Sequence, residues 1–239
     1  MPFIPGYSNG GNLDNNTLSL NATHPGLNNE TEYNLHNLFG KMMGKRTYEF
    51  LTDSKQYVNS DKRPFILSRS TFPSSGKEVS HWLGDNKREW AYMNYSIAGI
   101  MNFNMFGIPH TGADVCGFFG EMRDDDMCSR WVQLATFYPL ARAHQNLTWN
   151  GGASEPSEPY RLVEPYLTYA KNSIHDRYQY LRHMYTCLFE SQGNGGSCFD
   201  PLFYYYPQDD DLFNNIESSF IVGGALRVSP VLNPNTTSF

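Results

Sequence analysis

Three short segments of the sequence carry side chains that could do chemistry. They are Arg69-Ser70-Thr71, Asp114-Val115-Cys116 and Arg142-Ala143-His144. The first two lie at the ends of stretches predicted to be strands, and the third follows Phe137-Tyr138. Enzymes built on parallel sheets place their catalytic groups just past the carboxyl ends of the strands. We therefore expect these segments to meet at one edge of a sheet.

The loop at residues 81–86 combines three kinds of side chain that bind sugars. Trp82 offers an aromatic plate, Asp85 a carboxylate and His81 an imidazole. Aromatic faces stack on the C–H faces of sugars, while carboxylates, arginines and histidines hold the hydroxyl groups. A carboxyl beside an indole also loses solvation, which raises its pKa towards that of a general acid. These residues favour a carbohydrate site.

Five of the residues in these segments and this loop also have a structural interpretation. Asp85 could cap the helix that follows it, and Trp82 could belong to the core. Arg69 and Asp114 could form an ion pair between strand ends. His144 could be a half-buried histidine with its hydrogen bonds satisfied.

Composition excludes several other classes of protein. The sequence has 18 Lys and Arg against 24 Asp and Glu, a net charge of −6, and no block of basic residues, which argues against nucleic-acid binding. No apolar run approaches the roughly 18 residues of a membrane span. The sequence contains no HExxH, CxxC or glycine-rich phosphate motif, and Asp209-Asp210-Asp211 lacks the spacing of an EF-hand loop. We therefore expect neither a metal nor a cofactor.

Strands alternating with helices predict an α/β fold on a parallel sheet. Residues 1–32 have the composition of a loop, and strands are expected at 64–68, 108–115 and 201–206. Apolar residues recur every three or four positions over 90–101, 127–138 and 163–188, which predicts helices. Pro139 is expected to end the second helix, and Pro165 lies in the first turn of the third. A complete eight-stranded barrel needs about 250 residues, so these few strands suggest half of one.

Sequons and cysteines point to the secretory pathway. N-x-S/T triplets begin at Asn15, Asn21, Asn29, Asn94, Asn146 and Asn235. The cysteines form two local pairs, Cys116 with Cys128 and Cys187 with Cys198, and a disulfide in each would stabilise the fold by roughly 2–4 kcal/mol. Four buried thiols are the alternative. Because the first residues lack the pattern of a signal peptide, we expect that Met1 is not the start of the natural polypeptide.

Seven blocks, in order, resemble motifs of glycoside hydrolase family 31. They read YNLHNLFG at 33–40, RPFILSRSTF at 63–72, HWLGDN at 81–86, NFNMFGIP at 102–109, GADVCGF at 112–118, FYP at 137–139 and GGALRVSPVL at 223–232. The resemblance is strongest to the acid α-glucosidase and maltase branch. It implies a (β/α)8 TIM barrel, of which this chain holds roughly strands five to eight.

The resemblance also implies roles for individual residues. Asp85 matches the general acid/base of a retaining α-glucosidase that acts on terminal α-1,4-linked glucose. Positions that line the glucose subsite are matched by Arg69, Trp82, Asp114, Phe118 and His144. Cys116 and Cys128 match a disulfide beside that subsite. The nucleophile of the family lies in a W-x-D-M-N-E-type motif, which this sequence does not contain.

These inferences define the predicted organisation and two hypotheses for function. Residues 1–32 are expected to follow the nucleophile segment, 33–222 to form the second half of the barrel and 223–239 to begin a C-terminal β-region. The first hypothesis is an α-glucosidase of the lysosome or extracellular space, which is inactive as an isolated chain and needs the N-terminal half of the barrel. The alternative is a non-catalytic truncated paralogue that serves as a glycan-binding or structural subunit.

Overall fold

The first part of the described chain forms a hairpin and two helices. The computed structural model describes residues 18–53 and 55–236. The elements are β1 (Thr23–His24), β2 (Glu30–Thr31), α1 (Glu32–Leu35) and α2 (Phe39–Thr52). Asn28 and Asn29 adopt left-handed φ angles of 58° and 59° in the turn between the two antiparallel strands. Within the segment predicted to be loop, residues 23–31 therefore form a hairpin, and residues 1–17 lie outside the described part.

Four parallel strands follow one another in chain order, and a break at Ala113 divides their hydrogen bonding into a group of three strands and a pair. They are β3 (Leu67–Ser68), β4 (Ser80–Trp82), the strand interrupted at Ala113 into β5 (Thr111–Gly112) and β6 (Asp114–Val115), and β7 (Arg142–Ala143). The register pairs Leu67 with Ser80, His81 with Thr111, and Asp114 with Arg142. The predicted parallel sheet is confirmed. Strands β4 and β7 escaped prediction because two or three residues are too few to show a period.

Three long helices cover the sheet, as the periodicity predicts. They are α3 (Trp90–Met105), α4 (Asp125–Ala135) and α5 (Tyr166–Asn194). The Asp124 carboxylate accepts a hydrogen bond from the backbone N–H of Met127 and thereby caps α4. Helix α4 ends at Ala135, four residues before the proline expected to end it.

Arg177 of α5 closes the carboxyl end of α4. Its Nη1 donates to the carbonyl oxygens of Ala135, Thr136 and Tyr138 at 3.0, 2.9 and 2.7 Å. The last carbonyls of a helix have no partner within the helix, so a cation at this position satisfies them and interacts well with the helix dipole.

Replacing this cation should destabilise the protein. We expect Arg177→Met to lower the free energy of unfolding by about 2–4 kcal/mol, because it leaves several carbonyls without their charged donor. Denaturant unfolding would measure the change. Arg182→Met, on the exposed face of the same helix, is the matched control and should have little effect. Equal losses in the two variants would contradict the capping role.

The C-terminal part adds a three-stranded antiparallel sheet, β10–β11–β12. After the short hairpin of β8 (Thr148–Trp149) and β9 (Gly152–Ala153), its strands are β10 (Phe199–Pro201), β11 (Phe220–Val222) and β12 (Leu226–Val228). The strand predicted over 201–206 is wrong. The strand ends at Pro201, and Leu202–Tyr204 form a 3-10 turn. The predicted boundary at residue 223 falls in the turn between β11 and β12.

The core lies between the parallel sheet, helices α3 to α5 and the C-terminal sheet. Its largest fully buried side chains include Trp131, Tyr138, Phe199 and Phe220. The rings of Phe199 and Phe220 stack with their centroids 4.0 Å apart, which joins the two neighbouring strands β10 and β11 within this core. None of the helices described is both long and apolar enough to cross a bilayer.

Candidate active site

The carboxyl ends of the four parallel strands bring the predicted site residues together. Arg69 directly follows β3, Trp82 ends β4, Asp114 begins β6, and His144 directly follows β7. Asp85 lies three residues beyond the end of β4. The parallel register therefore places at one edge of the sheet the side chains that are scattered over 76 positions of the sequence.

Asp85 and Arg69 lie beside each other in the lining of a cavity of about 600 Å³. The Arg69 Nη1 lies 3.6 Å from the Asp85 Oδ2, and the two side chains are 50% and 28% exposed. Gly84 sits between them with a φ of +81°, and a Cβ there would approach the guanidinium to 3.4 Å. Asp85 is thus a solvent-reachable carboxylate beside a cation. The helix-capping interpretation is wrong, because Glu89 occupies the N-cap position of α3.

Trp82 lines the same cavity together with the aromatic rings of Tyr92 and Tyr95 from α3. Its side chain is half-buried, and its indole Nε1 is buried without a hydrogen-bond partner among the described residues. One ring face is covered by the guanidinium of Arg142, whose Cζ lies 5.2 Å from the ring centroid. Trp82 therefore contributes to the wall of the cavity rather than to the closed core.

Asp114 is fully buried and is bound to Arg142. Nε and Nη2 of Arg142 donate to its Oδ1 at 3.0 and 2.6 Å, and its Oδ2 is buried with no partner among the described residues. Burial raises the pKa of Asp114, and the hydrogen bonds and positive charge of Arg142 oppose that rise. The predicted ion pair between Arg69 and Asp114 is wrong, since each residue has a different partner.

The loop that follows β6 carries Phe118 and packs against His144. Their ring centroids lie 5.1 Å apart, and His144 is exposed rather than half-buried. A positive φ of 83° at Gly117 makes the turn, where any Cβ would collide with the backbone of Arg88 at 2.5 Å. The aromatic ring and the imidazole therefore form one side of the site.

Asn86 connects the end of β6 to the loop that carries Phe118 by hydrogen bonds, a role that the sequence does not predict. Its Nδ2 donates to the carbonyl oxygen of Asp114 at 2.9 Å, and its Oδ1 accepts from the N–H of Phe118 at 2.9 Å. The side chain is 2% exposed. Its position next to Asp85 was the only available signal, because an asparagine in a loop is ordinarily solvated.

Comparison with known proteins identifies the family. The model of the glycosyl hydrolases family 31 TIM-barrel domain matches residues 8–187. The chain belongs to glycoside hydrolase family 31. Its fold is accordingly part of a TIM barrel, in a family of glycosyl hydrolases.

Relatives of this family 31 chain agree with that assignment. The α-glucosidase of Mucor javanicus is 40% identical over 228 residues, which cover 95% of this chain and 25% of the relative. The lysosomal α-glucosidase of Mus musculus is 36% identical over 237 residues, covering 99% and 23%. A crystal structure of a glucosidase II α subunit matches with a TM-score of 0.79 and 32% identity, covering 88% of this chain and 22% of that one. The chain thus spans about a quarter of the length of these relatives.

Both predicted cysteine pairs of the family 31 chain are disulfides. Cys116 is bonded to Cys128 and Cys187 to Cys198, so the alternative of four free thiols is wrong. The first bond ties the loop bearing Phe118 to α4. Among the sequons, Asn21, Asn29 and Asn235 are exposed, Asn146 is half-buried, Asn94 lies within α3 with its Oδ1 buried, and Asn15 lies outside the described residues. No cluster of three or more metal-ligating side chains occurs in the described part of the chain.

His81 supports the base of the site from inside the fold. Its Nδ1–H donates to the carbonyl oxygen of Ser68 at 3.0 Å, and its ring stacks on Phe103 with centroids 3.8 Å apart. Burial lowers its pKa from 6.5 to about 4, and the hydrogen bond to Ser68 opposes this. The imidazole is therefore neutral near pH 7 and joins strands β3 and β4.

This burial predicts a loss of stability in acid. Because the folded pKa lies below the unfolded one, the stabilisation is complete above pH 6.5 and is lost as the pH falls towards 4, by about 3 kcal/mol in total. The difference in unfolding free energy between the wild type and His81→Gln should therefore shrink over this window. Between pH 7 and 8 the difference should be constant. A difference that stays constant down to pH 4 would contradict the prediction.

Proposed function

We propose that this chain is the half of a retaining α-glucosidase barrel that carries the general acid/base, Asp85. The observation that carries the proposal is the placement of this partly exposed carboxylate, beside Arg69 and Trp82, at the carboxyl edge of four parallel strands. A general acid must be reachable by the leaving oxygen of the substrate, and Asp85 is the member of the cluster that satisfies this condition.

The second carboxylate of the mechanism lies outside the described residues in this proposal. Retaining glycosidases need two carboxyl groups about 5–5.5 Å apart, one that protonates the leaving oxygen and one that attacks the anomeric carbon. The other carboxylate of the cluster, Asp114, is fully buried and bound to Arg142. A carboxylate held in this way cannot attack a sugar.

Unpartnered apolar surface supports a missing half of the barrel. A groove of about 320 Å³ runs between the end of β7 and helix α5 and is lined by Ala143, Ile174, Tyr178 and Leu181. Tyr178 is 72% exposed. Large exposed apolar patches mark interaction surfaces, and a closed barrel leaves no free strand edges. We propose that the first half of the barrel, roughly strands one to four, covers this groove and contributes the nucleophile.

Substrate and location follow from the same proposal. Relatives bear the names α-glucosidase and lysosomal α-glucosidase, which supports α-glucosides as substrates. The terminal 1,4-linkage rests on the resemblance of the sequence motifs to the acid α-glucosidase and maltase branch. Two disulfides and exposed sequons support a place in the secretory pathway, in the lysosome or outside the cell.

The proposal predicts activity only from the completed barrel. The purified chain alone should not hydrolyse 4-nitrophenyl α-glucoside, whereas its assembly with the first half of a family 31 barrel should, because only the assembly has both carboxylates. Release of 4-nitrophenolate measures the activity. Turnover by the chain alone would overturn the split of catalytic residues. Glucose binding without turnover by the assembly would favour the non-catalytic glycan-binding alternative.

Substitution of Asp85 tests the acid role in that assembly. We expect Asp85→Asn to reduce kcat/KM on maltose by about 10²–10⁴-fold, because this constant reports the first step, in which the glucose leaving group needs a proton. On α-glucosyl fluoride, whose leaving group needs little protonation, the loss should be much smaller. The control is Asp61→Asn, at an exposed position, which should leave both rates unchanged. Equal losses on the two substrates would argue against general acid catalysis by Asp85.

A further inference from the structure

Arg142 stands where a strand end, a buried carboxylate and an aromatic ring meet. The register of β6 and β7 places it directly opposite Asp114. Two of its nitrogens donate to a single oxygen of that carboxylate. Its guanidinium lies over the indole of Trp82, 5.2 Å from the ring centroid. One side chain thus links two of the predicted sugar-binding residues.

We infer that Arg142 is a positioning residue, which Asp114 holds in place and which fixes the orientation of the Trp82 ring beside Asp85. The inference rests on the proposed function, since it takes the cavity lined by Trp82 and Asp85 as the sugar site. In this arrangement Asp114 serves the site through Arg142 and does not touch the sugar.

Burial excludes a direct role for Asp114 in the described conformation. Its side chain has no exposed surface, so a sugar hydroxyl cannot reach it. A buried carboxylate requires a cation with good hydrogen-bond geometry, and Arg142 provides one. This pair fixes the guanidinium.

The Trp82 ring depends on Arg142 because it has no other polar anchor among the described residues. Its Nε1 makes no hydrogen bond there. A planar guanidinium stacks on an aromatic face and attracts it electrostatically, whereas the compact ammonium of lysine does so with less contact. With one face covered by Arg142, the indole is held at the cavity wall in a single orientation.

A second Asp–Arg–Trp arrangement in the helical layer provides a matched control. The Nε of Arg130 lies 2.8 Å from the Oδ1 of Asp126, and its Cζ lies 5.9 Å from the ring centroid of Trp90. Both charged residues belong to α4, and Trp90 begins α3. The chemistry is the same, but none of these residues lines the cavity of about 600 Å³.

The experiment uses the complete barrel and compares Arg142→Lys, the charge-free pair Asp114→Asn/Arg142→Leu, and Arg130→Lys. The charge-free pair avoids a buried, unpaired carboxylate and so protects against misfolding. We expect the changes at Arg142 to raise KM for 4-nitrophenyl α-glucoside and Kd for glucose by roughly tenfold, with a smaller change in kcat. In a Trp82→Leu background the same changes should have no further effect on either constant. Arg130→Lys should alter neither.

A fluorescence measurement separates this inference from the proposed function. The fluorescence of Trp82 is obtained by subtracting the signal of the Trp82→Leu variant. Its quenching by acrylamide should increase in both Arg142 variants, whether or not the barrel turns over substrate. Absence of both turnover and glucose binding in the wild type would defeat the proposed function, and quenching would still decide the position of the indole. Quenching that matches the wild type, or equal effects of Arg142 changes with and without Trp82, would overturn the inference.

Discussion

A carboxylate with no exposed surface, that of Asp114, imposes the main constraint on the site. Such a charge is tolerated only beside a well-placed cation, and the parallel register of β6 and β7 supplies one directly across from it. The pair can form only if the two strands are aligned without a slip. The pairing of β4 with β5 and of β6 with β7 also brings Asp85, Trp82 and His144 to one edge of the sheet, so the geometry of the site depends on the register of both pairs.

The loops beyond the strands are held by backbone hydrogen bonds rather than by side-chain charge. The backbone carbonyl oxygen of Asn86 accepts hydrogen bonds from the N–H groups of Phe118 and Phe119. The side-chain Nδ2 of Asn86 donates to the carbonyl oxygen of Asp114. The Cys116–Cys128 disulfide fixes the other end of this loop to α4. A site that is built in this way needs little rearrangement when a ligand arrives, which is the condition for strong electrostatic stabilisation of a transition state. These hydrogen bonds and the disulfide also explain why the loop that follows β6 is buried although it lies close to Asp85.

The sequence predicted the helices well and the strands poorly, for a physical reason. Helices α3, α4 and α5 have many turns, so their apolar period is visible, whereas β4 and β7 have two or three residues and mostly polar ones. The aromatic residues after Pro201 resemble a strand in composition, but only the start of that run reaches the C-terminal sheet. Asp85 and Arg69 could be placed by the rule of strand ends together with the family motifs. Arg142 belongs to a segment that the sequence predicts at a strand end, but its link between Asp114 and Trp82 depends on strand register and ring packing, which neither composition nor periodicity shows.

The arrangement of charges argues that the described site is one wall of a larger one. Within it, Arg69 is paired with Asp85 and Arg142 with Asp114, so each carboxylate that faces the strand ends already has a cation. Solvent reaches the partly exposed Asp85, whereas Asp114 is fully buried. A covalent mechanism needs an additional ionised oxygen on the opposite face of the sugar. In the described part of the chain β3 and β7 are each paired on one side only. The free sides of these two strands therefore mark where the proposed first half of the barrel would join and bring that oxygen towards Asp85.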